Sequence, residues 1–372
     1  MEHFARLLKE SWILVEPDRD RLSGYFYARL FLLDPELRKL FPAEMSGQGD
    51  RLLDAVITAS QTVDDPESFD EYLRALGRDH RKYHVDAAHY ATMGVALLDA
   101  LRTTAGDDWN LEFDQAWRDA YAAISAKMTA GAEGDPNPPF WHAEVLTHER
   151  IGPDTAVLTC RALQFPLPWK AGQYVSVEVP RHLPRVWRTY SVANAPNEEN
   201  VLEFHVRTPT GAGWVSGALV RRTKPGDLLR IAAPMGSMTV DGASTRDIVA
   251  VAGGVGVAPV KALVEELAAH NRTRWVHVFY GARRPEDLYA LPGLQKLVAE
   301  HQWLSVTPAC SEGTDFDGEQ GLVSDVLSRF GPWTDHDCYV SGSARMVRAT
   351  LRALAEDEVP PAHIRYDTFG NL

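Results

Sequence analysis

The sequence predicts a multidomain chain: an all-α N-terminal third, then an antiparallel β-barrel, then an α/β domain on a parallel sheet. Three observations predict it. Up to about residue 130, apolar residues recur at intervals of three and four, as in Tyr27, Leu30, Phe31 and in Leu73, Leu76, His80, Tyr83, the spacing of an amphipathic helix. From Phe140 to about Val240, short β-prone runs alternate with Gly and Pro, as in a small barrel. From about Thr245, wholly apolar strands alternate with helical stretches, the mark of a parallel sheet. A length of 372 residues fits two or three domains.

In the helical part, six or seven helices are expected, with Pro35, Pro42 and Pro66 at turns or first helical positions. Gly131-Ala-Glu-Gly-Asp-Pro-Asn-Pro-Pro139 cannot sustain a helix, and its prolines favour an extended spacer. The expected division is a helical domain over 1–133, a linker over 134–139, a barrel over 140–242 and an α/β domain over 243–372. Strands are expected at Trp141–Leu146, Thr155–Arg161, Tyr174–Val179, Thr189–Ala193 and Leu202–Arg207, then at Ile248–Ala252, Trp275–Tyr280, Leu304–Pro308 and Cys338–Ser341. A helix is expected from Pro259 to His270.

Composition narrows the function. Hydrophobic residues make up 45% and charged residues 24%, which excludes disorder, collagen and coiled coil as descriptions of the whole chain. The net charge of −13, from 38 basic and 51 acidic residues, argues against nucleic acid as a partner. The three cysteines, Cys160, Cys310 and Cys338, contain no Cys-x-x-Cys pair, so neither a disulfide framework nor a thiolate zinc site is expected. The longest apolar run, Ile248 to Val260, is broken by three glycines and a proline, and Met1–Glu10 is too charged for a signal peptide. A cytoplasmic protein without membrane insertion is expected.

Two motifs in the second half point to phosphate chemistry. Gly253-Gly-Val-Gly-Val-Ala-Pro259 follows a strand and opens a helix. There Gly254 and Gly256 let backbone approach a pyrophosphate, the helix N-terminus favours the anion, and Pro259 suits the first turn. A plain strand-to-helix turn reads the same way. Arg188-Thr-Tyr-Ser191 starts another strand: the guanidinium can fork onto a phosphate, the tyrosine offers a flat face, and the serine can bond a heterocycle nitrogen.

The order Arg188–Ser191, Gly211-Ala-Gly-Trp-Val-Ser216, Gly253–Pro259 resembles the ferredoxin-reductase superfamily over about residues 140–372. The resemblance implies an FAD barrel followed by a pyridine-nucleotide domain. It assigns Tyr174, Arg188, Tyr190 and Ser191 to the flavin and its phosphates, Gly213 and Ser216 to the FAD pyrophosphate, and Phe369 of Asp367-Thr-Phe-Gly370 to the face of the isoalloxazine. Where the family commonly has Cys-Gly-Pro, this chain has Ser341-Gly-Ser343. Arg283 and Arg284 leave NADH and NADPH both open, and the resemblance favours NADH.

In the first half, His80 continues the apolar stripe, with His84 and His89 as competitors; a histidine on such a face is more often a satisfied core residue than a ligand. Tyr25-Phe-Tyr-Ala-Arg-Leu-Phe31, Asp34-Pro-Glu-Leu37, Phe41, the helix of His80, Tyr90 and Trp117 resemble bacterial globins over about residues 20–130. With the reductase half, the chain resembles a flavohaemoglobin. That implies haem b, FAD and NAD(P)H as cofactors. It makes His80 the proximal iron ligand, Tyr27 the distal tyrosine, Phe41 an aromatic against the haem and Tyr90 part of the proximal network. The family's distal glutamine falls on Arg51, with Gln48 reached only by a register shift, and its proximal glutamate on Ala132, with Glu133 one residue away. The activity implied is a nitric oxide dioxygenase: hydride to FAD, single electrons to haem iron, and nitric oxide turned into nitrate by dioxygen at the haem. The partners are then two small gases and a pyridine nucleotide, with the oligomeric state open. Two other readings stay open, a flavin reductase feeding a separate oxygenase and a gas sensor or oxygen-binding protein whose flavin half reduces its own iron.

Overall fold

A computed structural model describes residues 2–41, 45, 66–209, 214–312 and 316–369. It divides into two compact units, Met1–Phe140 with Pro184–Val186, and Trp141–Leu183 with Trp187–Leu372.

The first unit is helical: α1 (Glu2–Val15), α2 (Arg19–Leu33), α3 (Pro66–His80), α4 (Ala87–Ala105) and α5 (Leu111–Glu133). Local chemistry sets the ends. Asp34 accepts the Glu36 N–H and Pro35 sits at the first position of a 3-10 turn that leads to Phe41. Asp86 caps α4 reciprocally with His89, and Asn110 caps α5 through the Phe113 N–H. Buried Trp117 donates its indole N–H to Ser11 Oγ (2.8 Å), which in turn donates to the Leu7 carbonyl, so α1 and α5 meet without an orphaned polar group. The expected linker starts later than its first glycine suggests. α5 continues through Gly131 to Glu133, because Gly131 lies where a Cβ would stand 2.6 Å from the Arg74 Cα of α3. Gly77 of α3 is the matching contact, its missing Cβ 1.9 Å from the Met128 carbonyl oxygen. Two glycines thus let α3 and α5 touch backbone to backbone. The segment after α5 is tied back by Arg81, which donates to the Asp135 and Asn137 carbonyls and pairs with the Asp135 carboxylate.

The second unit holds two six-stranded sheets. The first comprises β1 (Trp141–Arg150), β2 (Thr155–Ala162), β3 (Tyr174–Glu178), β4 (Trp187–Ser191), β5 (Val201–Arg207) and β6 (Leu228–Ile231), antiparallel in the order β4-β3-β6-β1-β2-β5. The Ala193 N–H, just past β4, bonds the Glu203 carbonyl of β5 (2.8 Å) and draws the two edges together toward a barrel. β4 begins two residues earlier than expected, and α6 (Trp214–Arg221) lies between β5 and β6. The second sheet comprises β7 (Asp247–Gly253), β8 (Val276–Ala282), β9 (Leu304–Cys310), β10 (Glu319–Gln320), β11 (His336–Ser343) and β12 (Ile364–Phe369), parallel in the order β10-β9-β8-β7-β11-β12. Helices α7 (Val257–His270), α8 (Leu291–Glu300), α9 (Val323–Phe330) and α10 (Ala344–Glu356) connect it. β7 is buried at five successive positions, whereas β1 alternates, the difference expected between a strand covered on both faces and one covered on one. All three cysteines are free and buried. Among the described residues no helix is long and apolar enough to cross a membrane.

The close approach of α3 and α5 makes an opposed pair of outcomes measurable by chemical denaturation. Gly77→Ala should destabilise the helical unit by about 1–3 kcal/mol through overpacking. Gly24→Ala, in α2 with nothing within 4 Å of the added carbon, should stabilise it by roughly 0.5–1 kcal/mol through helix propensity.

Candidate functional site

In the helical unit the three candidate histidines separate by their bonds. His80 ends α3 half-buried, and its Nδ1–H donates to the Leu76 carbonyl one turn back (2.8 Å). The carbonyl can only accept, so this bond fixes the tautomer and leaves the Nε2 lone pair for another partner. Burial pushes the imidazole below the usual histidine range, against the pull of the Asp79 carboxylate, and keeps it in the neutral, metal-binding form. His89 is committed to the cap, its Nδ1 accepting the Asp86 N–H (3.0 Å), and His84 is exposed in a left-handed conformation.

Tyr27 lies among aromatics: the Phe26 ring edge-on at 5.0 Å, Phe31 stacked at 6.1 Å and Phe41 edge-on at 5.6 Å. These side chains belong to one apolar cluster with α1 and α4, while Leu73, Leu76, Tyr90 and Met128 form a second. Tyr90 is buried, its phenol pushed up to about 12 by burial, and its backbone carbonyl accepts the Tyr121 hydroxyl (2.7 Å). Glu133 ends α5 exposed to solvent. Gln48 and Arg51 lie outside the described residues. A single neutral imidazole nitrogen, an aromatic wall around Tyr27 and an aliphatic wall beside the histidine suit a flat apolar macrocycle with one axial ligand.

In the second unit the flavin candidates converge at the β3–β4 pair, where Tyr174 is in register with Ser191 and Val177 with Arg188. Arg188 and Tyr190 share one face of β4. Tyr190 exchanges a hydrogen bond with Ser216 Oγ (2.9 Å), and burial pushes its phenol up to about 12. The Tyr174 ring packs on Gly236, 3.0 Å from where a Cβ would be, and that glycine has φ +100°. A cationic guanidinium, two phenols and the Ser191 hydroxyl on one strand pair, with Ser216 of α6 bonded to Tyr190, suit a phosphorylated ring system. Gly213 lies outside the described residues.

The nucleotide turn closes the other side. Gly254 takes φ +55°, and Gly256 abuts the Ser341 carbonyl oxygen, 2.3 Å from its missing Cβ, so α7 starts directly against β11. Pro259 is buried in the first turn of α7. Ser341 Oγ, where the related motif carries a thiol, is buried and has no hydrogen-bond partner. Its neighbour in register is Asp367, which accepts from Ser191 Oγ (3.1 Å). Burial raises the Asp367 carboxyl above the usual aspartate range, against the lowering bonds from Ser191 and the Thr368 N–H. The Phe369 ring, at the end of β12, is 41% exposed. The structure therefore brings Ser191, Asp367 and Ser341 to one place. In the sequence Asp367 carries no mark of this role, since a serine and an aspartate 176 residues apart give no local signal of their bond.

Three families match in order: Globin over residues 24–128, Oxidoreductase FAD-binding domain over 142–240 and Oxidoreductase NAD-binding domain over 250–352. The chain is 29% identical to a flavohemoprotein of Bordetella pertussis, over 98% of this chain and 97% of that one. It is 26% identical to a flavohemoprotein of Bacillus subtilis, over 98% and 96%. A crystal structure of flavohemoglobin from Malassezia yamatoensis with bound FAD and heme shares the fold with a TM-score of 0.82, at 19% identity over 99% of this chain and 98% of that one. The FAD/NAD-binding domain of a nitric oxide dioxygenase from Vibrio cholerae matches 62% of this chain and 99% of its own, with a TM-score of 0.57 and 22% identity.

The raised carboxyl of Asp367 sets a pH test. Its folded pKa lies above the unfolded value of 3.8, so ionisation of the buried group costs stability at neutral pH, and the cost shrinks as pH falls toward 3.8. Asp367→Asn should therefore melt above the parent chain at pH 7, with the gain diminishing as pH is lowered, in flavin-free protein followed by near-ultraviolet circular dichroism.

Proposed function

Because this chain belongs to the flavohaemoprotein family, an oxidoreductase lineage, we propose that it is an NAD(P)H-dependent nitric oxide dioxygenase. Its modules are then a globin over 1–133, a linker over 134–139, an FAD barrel over 140–242 and a nucleotide domain over 243–372. The observation that carries the reading is the tautomer of His80: a half-buried neutral imidazole with Nδ1–H anchored on Leu76 and the Nε2 lone pair left to bind a metal, in a chain that also bears flavin and nucleotide modules. One relative of the reductase half is itself described as a nitric oxide dioxygenase.

In this reading haem, FAD and a nicotinamide supply the redox chemistry: a two-electron donor, a carrier that splits the pair, and an iron that takes one electron at a time. The overall change balances as two nitric oxide and two dioxygen molecules plus NAD(P)H, giving two nitrates, NAD(P)+ and a proton. The chain supplies ligation, orientation and field. His80 Nε2 holds the iron. The Tyr27 hydroxyl, in its aromatic surround, would serve as hydrogen-bond donor to dioxygen, and the Phe41 ring beside it would exclude water. Tyr90 packs on the proximal side. Arg188 pairs with FAD phosphate, and Tyr190 and Ser216 orient the dinucleotide through their shared hydrogen bond. Ser191, held by Asp367, would bond the flavin, and Tyr174 and Phe369 would pack on it. Gly254, Gly256 and the first turn of α7 with Pro259 take the nicotinamide dinucleotide, NADH in preference.

Purified holoprotein given NADH, dioxygen and nitric oxide should consume the nitric oxide and release nitrate one for one. Failure to make nitrate while NADH is oxidised by dioxygen alone would reject the dioxygenase reading. Tyr27→Phe should speed dioxygen release about 10-fold, the loss of one hydrogen bond of roughly 1.5 kcal/mol, as read by stopped-flow absorbance.

A further inference from the structure

Between the two sheets of the second unit runs a chain of ionisable groups that none of the assignments above uses. Lys261 projects from α7, two residues past Pro259. Its ammonium donates to the Ala193 carbonyl (3.1 Å), to Glu265 Oε1 (2.6 Å) and to Glu203 Oε1 (3.1 Å), with its side chain 20% exposed. Glu265 also accepts the Ala195 N–H (3.0 Å). Glu203 accepts from His205 Nε2 (2.8 Å), and His205 Nδ1 meets the hydroxyl of Tyr289 (3.0 Å). His205 is 3% exposed.

The proton positions follow from the acceptors. Burial raises Glu203, but the bonds from His205 and the charge of Lys261 outweigh it and hold the carboxyl below its ordinary range. An ionised Glu203 only accepts, so His205 carries its proton on Nε2. Its bare Nδ1 then accepts from Tyr289, whose phenol burial raises well above its ordinary value. Along the Tyr289–His205 arm both donors thus point toward Glu203, and Lys261 meets it from the other side. The network is satisfied as drawn, and a fully satisfied buried network rigidifies what it joins.

What it joins is specific. Ala193 is two residues beyond Ser191, on the segment that leads away from the Arg188–Ser191 strand, and Glu203 and His205 lie on β5. Lys261 and Glu265 lie on the helix that opens at the glycine turn, and Tyr289 just before α8. We propose that Lys261, through Glu203, Glu265 and the His205–Tyr289 pair, is a positioning residue that fixes the nucleotide helix against the flavin strand and so sets the approach of nicotinamide to flavin. This inference rests on the flavin and nucleotide sites proposed above. Hydride transfer needs the reacting atoms within a few tenths of an ångström of contact geometry, and a shift of about 1 Å costs about 100-fold. A single ammonium that bonds both elements controls that separation.

The test is anaerobic stopped-flow reduction of the flavin by NADH in the full-length holoprotein. It compares the parent chain with Lys261→Met, Lys261→Met/Glu203→Gln and Tyr289→Phe, and records the long-wavelength charge-transfer absorbance of the reduced flavin–NAD+ pair. Lys261→Met should lower the limiting rate about 10–100-fold and lose the charge-transfer band, with half-saturation by NADH changed less than about threefold. The double variant, which removes the stranded carboxylate charge, should regain melting temperature but not the rate or the band. Tyr289→Phe, which deletes one donor and keeps the shape, should slow reduction about 2–10-fold at unchanged flavin content. A Lys261→Met chain whose rate and band per bound flavin match the parent overturns the inference, whatever its melting temperature. So does a double variant that recovers rate along with stability, since the lysine would then serve folding alone. If Lys261→Met does not fold, a parent-like rate and band in Tyr289→Phe overturn it. A parent flavin that NADH does not reduce overturns the oxidoreductase reading, and this inference with it.

Discussion

The hydrogen bond from His80 Nδ1 to the Leu76 carbonyl is the constraint on which the rest turns. It spends one ring nitrogen on the histidine's own helix and so frees the other. It works only because α3 is held in place, and α3 is held by the glycine contacts at Gly77 and Gly131 that bring it against α5. A larger residue at either position would lever the helix outward and carry the imidazole with it. The acceptor that orients the histidine here is a neutral carbonyl, and Glu133, at the end of α5, is turned to water. A carbonyl partner fixes orientation while adding less basicity to the ligand than a carboxylate would.

The second unit solves a different problem. Two sheets of opposite character, one antiparallel and one parallel, must present the end of β4, the start of α7 and the end of β12 to one small volume. They do so through buried polar pairs: Tyr190 with Ser216, Ser191 with Asp367, and Lys261 with its two carboxylates. Farther back, Arg274 bonds Asp337 (2.6 Å) and the carbonyls of Arg246 and Asp241, pinning the segment between the two sheets to the base of the parallel one. Buried ion pairs of this kind add little net stability, because desolvation offsets their attraction. Their directionality is what specifies one arrangement over its neighbours.

Periodicity made most of the architecture legible in the sequence. The three- and four-residue spacing of α2 and α3, the alternation in β1 and β2 and the unbroken apolar run of β7 each encode how many faces of an element are covered. Some elements escaped: four-residue β6 offers too few positions for a pattern, β12 has no buried face to give it an alternation, and α6 sits directly after glycines. The helical domain ends at Glu133, where the division at 133 and 134 puts it, although Gly131 reads as a helix breaker in isolation; its role is the close contact with α3. Single residues with an unusual neighbourhood, such as His80 on an apolar stripe or Arg188-Thr-Tyr-Ser191 on a strand, were visible one at a time. Their partners were not. Ser191 and Asp367, or Lys261 and Glu203, meet only through the tertiary fold, and no local rule of helix or strand pairs them.

The most direct measurement is an anaerobic titration of purified holoprotein with NADH while the visible spectrum is recorded. The flavin absorbance should fall and the Soret band should shift to its reduced position, at one NADH for each two electrons stored. A flavin that bleaches beside a Soret band that never moves would contradict this, because the electrons would then have no route to the iron that His80 is placed to hold.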